Sequence, residues 1–283
     1  MFTIYSIREK ARQTLNETSG IYQLVAIPVL ISLGLQLFTS ARNNATSLAD
    51  LTPEQVLSPN YLISSSLFHI LSGLLLGLLS LSALLTLFNL VKTSKKTSSY
   101  KDIFSVFNHP RFSNILLTYL LKNFLLFLWG MLFYFGLAML ISSLGIVIAF
   151  IIATSLTDPN SLPQDVLAML SLTFLVGVVC SIVGFAIYIP QYYAYSQVEC
   201  ILFEQLERDE YMSAYSIIKS SRKLMRGYKF KRFLLDFSFL AWFIVVIITF
   251  GLAGFYVYPY YYSSQIHFYE AILEDQAEKL YSL

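Results

Sequence analysis

Four long runs of this 283-residue chain contain no Asp, Glu, Lys or Arg: residues 61–91, 123–157, 166–198 and 237–269. Each exceeds the roughly 20 residues that a helix needs to cross about 30 Å of hydrocarbon. Lipid admits only helices or closed barrels, and these runs lack the two-residue alternation of barrel strands. A fifth apolar run, residues 21–38, is also long enough to span. The sequence therefore predicts an all-α, polytopic transmembrane helical bundle.

The composition agrees with a membrane protein. The chain is 56% hydrophobic and 13% charged, with a mean hydropathy of +0.63, whereas soluble domains are about 25% charged. Arg8, Lys10 and Arg12 lie near the N-terminus without a cleavable-signal pattern, so we expect the first apolar run to be retained. The positions of Cys180 and Cys200 do not suggest a disulfide, and both are expected to be buried or interfacial thiols.

Charge in the connecting segments predicts the topology. The segments 41–60 and 157–165 are poor in Lys and Arg, whereas those after residues 91 and 198 carry most of the bases. Positive segments mark the cytoplasmic side. Two cytoplasmic regions must be joined by an even number of spans. Cutting residues 123–157 into two helices would give three spans between them, with residues 166–198 as the third, so one long helix is predicted there.

The last apolar run divides near its middle, because Gly251 and Gly254 suit a tight reversal between two spans. The prediction is then a single membrane domain, residues 1–283, with about six spans and both termini cytoplasmic. The predicted spans are residues 21–40, 63–90, 115–156, 166–190, 233–250 and 252–270.

Two segments echo each other. Residues 184–205 and 254–276 both run from Gly-Phe through a proline into paired tyrosines, then Ser-Gln and an acid. Prolines at matching depth predict a polar cavity between two opened helices. Its candidate lining is Tyr188, Gln191, Tyr192, Tyr193, Tyr258, Tyr260, Tyr261 and Gln265. The alternative is that these tyrosines anchor helices at the bilayer boundary.

A basic amphipathic helix is predicted for residues 210–227, between spans four and five on the cytoplasmic side. Its apolar face would hold Tyr211, Tyr215, Ile218 and Met225. Its candidate lipid- or partner-binding residues are Lys219, Arg222, Lys223 and Arg226. The alternative is a connector that only satisfies the positive-inside rule.

Residues 214–273 carry a family resemblance. The matching residues are Ser221, Arg222, Met225, Gly227, Lys229, Asp236, Phe237, Trp242, Pro259, Tyr260, Phe268 and Tyr269, with residues 7–16 as an opening element. This pattern resembles the bacterial multi-pass membrane proteins catalogued as domain of unknown function 975, although Asp236 stands where Leu is common. The resemblance implies a bacterial cell membrane and no particular chemistry.

Ionisable groups near membrane depth are His69, Lys122, Asp236 and His267. Snorkelling or mutual pairing of Lys122 with Asp236 is expected, since both lie near cytoplasmic helix ends. The two histidines lack metal-ligand spacing, so no metal site is predicted.

Small residues predict close helix packing. Gly73 and Gly77 form a GxxxG pattern in the second span, and Gly177, Ser181 and Gly184 keep one small face in the fourth. The packing would be within the chain or between copies in a homo-oligomer.

No catalytic or phosphate-loop motif is found, and the bases form no nucleic-acid face. We therefore expect a non-enzyme without cofactor or nucleic-acid partner, working in the lipid bilayer. The leading hypothesis is transport or sheltering of a small or amphiphilic molecule. The alternative is a structural or accessory module that binds anionic lipid or a membrane protein. An intramembrane enzyme would need Asp236, His69 or His267 to converge.

Overall fold

A computed structural model describes residues 2–45, 58–93, 97–154 and 164–281. Within these ranges the chain is helical, and its β-structure is one isolated bridge, Ser19 to Thr97. The helices are α1 Ile4–Glu17, α2 Gln23–Ala45, α3 Pro59–Thr93, α4 Phe112–Thr154, α5 Gln164–Ala194, α6 Val198–Glu207, α7 Ala214–Leu224, α8 Lys229–Ser238, α9 Leu240–Ile248 and α10 Gly254–Tyr281. Four segments are long and apolar enough to cross a membrane: Gln23–Ala41, Ser66–Lys92, Phe112–Phe150 and Gln164–Glu207.

Helix α4 is the single long helix that charge parity predicted. Its 43 residues are uninterrupted, and at about 1.5 Å per residue they are roughly twice as long as the hydrocarbon is thick. The segments predicted for the outer side, residues 41–60 and 157–165, lie mostly outside the described residues. Ser47, Ser161 and Ser282 also lie outside them.

The last apolar run breaks twice. Gly251 has φ +96 in the turn between α9 and α10, a conformation that glycine adopts without strain. Trp242 contacts Tyr256 and Phe239 contacts Tyr260, with ring centroids 5.5 and 4.9 Å apart, so the two helices run antiparallel. The chain thus reverses at the predicted glycines.

The predicted span 233–250 is not one continuous helix. Helix α8 ends at Ser238 and α9 begins at Leu240. The hydroxyl of Ser238 donates to the carbonyl of Leu235 at 2.7 Å, a back-bond that bends helices. Helix α9 has only nine residues, or about 14 Å.

The chain forms two compact units. The first is Met1–Leu117, Glu199–Ser213 and Phe230–Leu283, and the second is Thr118–Val198 and Ala214–Lys229. In the first unit, α1 packs along α10 through one apolar stripe, Ile7, Ala11 and Leu15, each at most 4% exposed. This spacing is that of an amphipathic helix. The side chains of Thr3 and Ser6 form a capping box that fixes where α1 begins.

The segment after α3 folds back on that helix. Ser105 donates to the carbonyl of Ser82 at 3.1 Å, and Thr86 donates to the carbonyl of Asp102 at 2.9 Å. Ile103, in the 3-10 turn Tyr100–Phe104, is fully buried. The backbone N–H of Ser98 donates to the carbonyl of Ser19 at 2.9 Å. The side-chain bonds and the buried Ile103 hold this segment against α3, and the bond to Ser19 ties it to the residues before α2.

Glu204 joins three helices of the first unit. Its carboxylate accepts from Lys92 at 3.2 Å and from Arg208 at 2.6 Å, and the hydroxyl of Tyr269 also donates to it. Phe88 and Phe203 are fully buried beside Tyr269. A charged junction therefore sits at the edge of an aromatic core and ties α3, α6 and α10 together.

In the second unit, α4 and α5 meet backbone to backbone. A Cβ added at Gly184 would lie 2.3 Å from the amide nitrogen of Phe133, and one at Gly136 would lie 2.4 Å from that of Ser181. The small face of α5 is thus used for packing within the chain. Gly73 of the GxxxG pattern has no atom within 4 Å of its added Cβ, so close packing is wrong there within the chain. Packing between copies stays a prediction.

Candidate functional site

Helix α7 buries one face in the second unit. The buried residues are Ala214, Ile217, Ile218, Ser221 and Leu224. Tyr215 is 65% exposed and Tyr211 precedes the helix, so the prediction that both belong to the apolar face is wrong. The helix begins at Ala214, and its buried face follows the spacing of Ala214, Ile217 and Ser221 rather than that of Tyr211 and Tyr215.

Ser221 fixes α7 against the end of α5. Its hydroxyl donates to the carbonyl of Ala194 at 2.8 Å and accepts from the backbone N–H of Gln197 at 3.3 Å. Ser221 and Gln197 are fully buried. A helix C-terminus has unsatisfied carbonyls and partial negative charge, and Ser221 satisfies one of those carbonyls.

The opposite face of α7 lines a depression of about 400 Å³, which we call the basic depression. Its lining is Gln191, Ala194, Lys219, Arg222, Lys223, Arg226 and Lys229. All four predicted basic residues are therefore brought to one place, and Lys229 joins them because Gly227 turns the chain at φ +87. Sequence periodicity along α7 alone did not find Lys229, which lies beyond the turn.

The basic depression is strongly positive. Its lining contains five bases and no acid. The side chains of Lys219, Arg222, Lys223 and Arg226 form no ion pair or hydrogen bond with the described residues. The Oε1 atom of Gln191 is buried without a hydrogen-bond partner in the same part of the chain. Guanidinium groups match phosphate and carboxylate in bidentate geometry, so the arrangement suits an anion.

The predicted tyrosine cavity drew its residues from both units. Tyr188, Gln191, Tyr192 and Tyr193 lie in the second unit, where Tyr188 stacks on Phe133 with centroids 6.4 Å apart. Tyr258, Tyr260, Tyr261 and Gln265 lie in the first unit. A cavity shared by the two sets stays a prediction.

Within the first unit, two tyrosines of α10 line a cavity of about 210 Å³. The rings of Tyr258 and Tyr262 stack with centroids 6.3 Å apart. The remaining lining comes from α2 and α3: Val25, Pro28, Val29, Ser32, Leu76, Ser80 and Ala83. The cavity is mostly apolar with a few hydroxyls, which suits a small amphiphile.

Asp236 pairs with a residue of its own helix. Its carboxylate lies 3.3 Å from a guanidinium nitrogen of Arg232 and accepts from the hydroxyl of Tyr261 at 3.0 Å. Arg232 is 2% exposed and also donates to Tyr261 at 3.2 Å. Lys122 lies in the second unit and Asp236 in the first, so their mutual pairing stays a prediction. The i, i+4 spacing of Arg232 and Asp236 was the sequence signal that could have found the pair.

The two histidines have different surroundings. The Nε2 atom of His267 lies 2.8 Å from the hydroxyl of Thr14 on α1, and its Nδ1 atom lies 2.9 Å from Glu270. The ring of His69 contacts that of Phe68. Among the residues that the structure describes, no three His, Cys, Asp or Glu side chains are grouped as for a metal ion.

A family model described as protein of unknown function (DUF975) matches residues 1–276. No curated protein and no solved structure matches the chain.

Proposed function

We propose that this chain, which belongs to the DUF975 family, is a non-enzymatic, multi-pass membrane protein that binds the phosphate groups of anionic phospholipids. The observation that carries the proposal is the basic depression, where five bases meet without an acid. Anionic lipid is attracted by roughly 1 kcal/mol per base near the membrane surface. The lipid bilayer and an anionic lipid are its partners.

The proposed topology has six spans in a bacterial cell membrane with both termini cytoplasmic. Four apolar segments support four of the spans. The reversal at Gly251 supports a pair of further spans, in which α8 and α9 together cover about 30 Å and α10 returns. The basic depression then faces the cytoplasmic leaflet, as the positive-inside rule requires.

An apolar stripe supports a lipid over a soluble anion. Val183 and Ile187 precede Gln191 at four-residue intervals on α5, so the three lie on one face of the helix. Both are more than 40% exposed. A phosphate held in the basic depression would thus place an acyl chain along exposed apolar side chains of the same helix.

Native mass spectrometry of the detergent-solubilised chain tests this proposal. Wild type is titrated with phosphatidylglycerol and with zwitterionic phosphatidylcholine. The variant Arg222→Gln/Arg226→Gln should bind phosphatidylglycerol roughly 30-fold more weakly, from about 1 kcal/mol per base. The control Lys10→Gln/Lys101→Gln removes the same charge from two exposed sites and should bind like wild type.

Equal affinity of wild type for the two lipids would contradict the proposal. So would an unchanged affinity in the Arg222→Gln/Arg226→Gln variant. Capture of a membrane protein by wild type but not by this variant, without lipid preference, would instead favour a partner-binding module.

A second candidate function is sheltering of a small amphiphilic molecule, and the cavity beside Tyr258 and Tyr262 favours it. The variant Ser80→Leu would fill that cavity, whereas Ser66→Leu changes an exposed position of the same helix. A small molecule that co-purifies with wild type and with Ser66→Leu but is lost from Ser80→Leu, measured by mass spectrometry, supports sheltering. Identical extracts from all three proteins would contradict it.

A further inference from the structure

Two arginines of α1 converge on one phenol oxygen of α10. The Nε atom of Arg8 donates to the hydroxyl of Tyr260 at 3.0 Å, and that of Arg12 donates to the same oxygen at 3.1 Å. Tyr260 is fully buried, whereas Arg8 is half-buried and Arg12 is exposed. A buried oxygen thus orients two guanidinium groups at the surface of the first unit.

Aromatic rings hold both guanidinium groups. The Cζ atom of Arg8 lies 5.2 Å from the ring centroid of Phe239 and 5.6 Å from that of Tyr260. The Cζ atom of Arg12 lies 5.6 Å from the Tyr260 centroid. These are cation–π distances. Together with the hydrogen bonds they reduce the freedom of two side chains that are ordinarily flexible, so less entropy is lost when a ligand binds.

The backbone beneath the arginines is also fixed. Helix α1 is capped at Thr3 and packs its apolar stripe on α10, and Thr14, two residues after Arg12, contacts His267. The spacing of four residues between Arg8 and Arg12 places them on the same helix face. Like charges at this spacing repel each other and destabilise the helix.

Neither arginine has a carboxylate partner among the described residues. Each guanidinium has five N–H donors, and the bond to Tyr260 uses one of them. Arg8 and Arg12 line a cavity of about 590 Å³ with Ile4, Tyr5, Glu9, Gln13 and Asn16. Glu9 lines this cavity without forming an ion pair to either arginine. The remaining N–H donors of both arginines are therefore held in place. A bound anion would relieve the repulsion between the two guanidinium charges.

We propose that Arg8, Arg12 and Tyr260 form a second anion site that binds a phosphate group. Arg8 and Arg12 are the binding residues, because guanidinium donors match phosphate oxygens in bidentate geometry. Tyr260 is a positioning residue that aims both. The site lies in the first unit, does not include the basic depression and does not rest on it. The phosphate belongs to a lipid head group or to a soluble phosphate compound.

The test uses the full chain in a neutral detergent, carrying Arg222→Gln/Arg226→Gln to weaken the basic depression. Inorganic phosphate and short-chain phosphatidylglycerol are the two probes, measured by isothermal titration calorimetry. We expect saturable binding of at least one probe. Adding Arg8→Gln should weaken that binding about 10-fold or more, the usual effect of losing a hydrogen bond to a charged group.

A second readout uses the arginines directly. Phenylglyoxal modifies accessible arginines, and mass spectrometry reports modification at Arg8 and Arg12 separately. The probe that binds should slow modification of both residues. Tyr260→Phe keeps the ring and both charges but removes the shared oxygen. It should weaken binding while leaving the melting temperature close to that of the parent protein.

Binding of both probes identifies a phosphate site, and binding of phosphatidylglycerol alone identifies a lipid site; either result supports the proposal. Saturable binding of neither probe would overturn it. Binding that Arg8→Gln and Tyr260→Phe leave unchanged would also overturn it, because the anion would then be held elsewhere.

Discussion

Replacing Gly184 by alanine tests the backbone contact between α4 and α5. The added Cβ would lie 2.3 Å from the amide nitrogen of Phe133 and 2.6 Å from its Cα, whereas ordinary contacts begin at 3.4 Å. The helices must therefore separate by about 1 Å, since backbone atoms cannot rotate away as a side chain does. Separation would also loosen the neighbouring contact of Gly136 with Ser181.

The magnitude follows from two opposing effects. Overpacking of a close contact costs about 1–3 kcal/mol, and alanine gains about 1 kcal/mol over glycine in helix propensity. Because the contact is with backbone atoms, we expect the overpacking cost to lie at the upper end of its range, so that Gly184→Ala lowers the free energy of unfolding by about 2 kcal/mol. Gly145 of α4 has no atom within 4 Å of an added Cβ, so Gly145→Ala should be neutral or stabilising.

The assay is unfolding by sodium dodecyl sulfate in mixed micelles, followed by circular dichroism. Wild type, Gly184→Ala and Gly145→Ala are compared under one detergent composition. If Gly184→Ala is as stable as Gly145→Ala, the two helices do not meet at Gly184 and the reasoning is refuted.

Three further predictions concern the first unit. Gly20→Ala would add a Cβ 2.2 Å from the carbonyl oxygen of Ser98 at a φ of +81. It should destabilise the protein by about 2 kcal/mol and speed hydrogen exchange at residues 97–106. Unchanged exchange would count against the contact. Burial, with a smaller contribution from a neighbouring arginine, lowers the pKa of His109. Its contribution to stability is therefore full above the unfolded value of about 6.5 and falls as pH drops through that value towards the lower folded pKa. His109→Asn, which keeps an acceptor, should flatten the change in unfolding free energy between pH 7 and pH 5, and equal slopes would refute this. Glu204→Gln should cost about 2 kcal/mol because it removes the charge of a carboxylate that accepts three hydrogen bonds and whose side chain is 12% exposed. Glu207→Gln, at a 40% exposed side chain, should cost less than about 1 kcal/mol. Equal losses in chemical unfolding would contradict the junction.

The sequence predicted features that depend on local pattern. A charge-free run and parity of basic loops predicted α4 as one helix, and paired glycines predicted the reversal before α10. The small face at Gly177, Ser181 and Gly184 predicted close packing because glycine and serine are small enough for two helix backbones to approach each other. In each case the cause lies within a few turns of the residues concerned.

The sequence could not predict contacts between distant segments. Arg8 and Tyr260 are 252 residues apart, and periodicity along α1 shows its apolar stripe but not the helix that covers it. Tyrosines of α10 were expected to anchor at the bilayer or line a shared cavity. Sequence patterns did not show that Tyr260 accepts hydrogen bonds from Arg8 and Arg12 of α1, or that Tyr261 accepts one from Arg232 of α8.

The basic depression illustrates both cases. Its bases on α7, Lys219, Arg222 and Lys223, follow from one amphipathic pattern, and Arg226 lies in the turn directly after the helix. Lys229 and Gln191 join them only through tertiary structure, since the turn at Gly227 and the bond of Ser221 to α5 position them. Local pattern therefore predicted the charge of this site but not its shape.

We propose that the chain spans the membrane six times and holds its basic depression on the cytoplasmic side. Single cysteines at Ser47, Ser161, Ser220 and Ser282, in a chain without Cys180 and Cys200, test it directly with a membrane-impermeant thiol reagent on intact cells. Labelling at Ser47 and Ser161, with protection at Ser220 and Ser282 until the cells are permeabilised, is the predicted result. Labelling of the cysteine at position 220 or 282 in intact cells would contradict this topology.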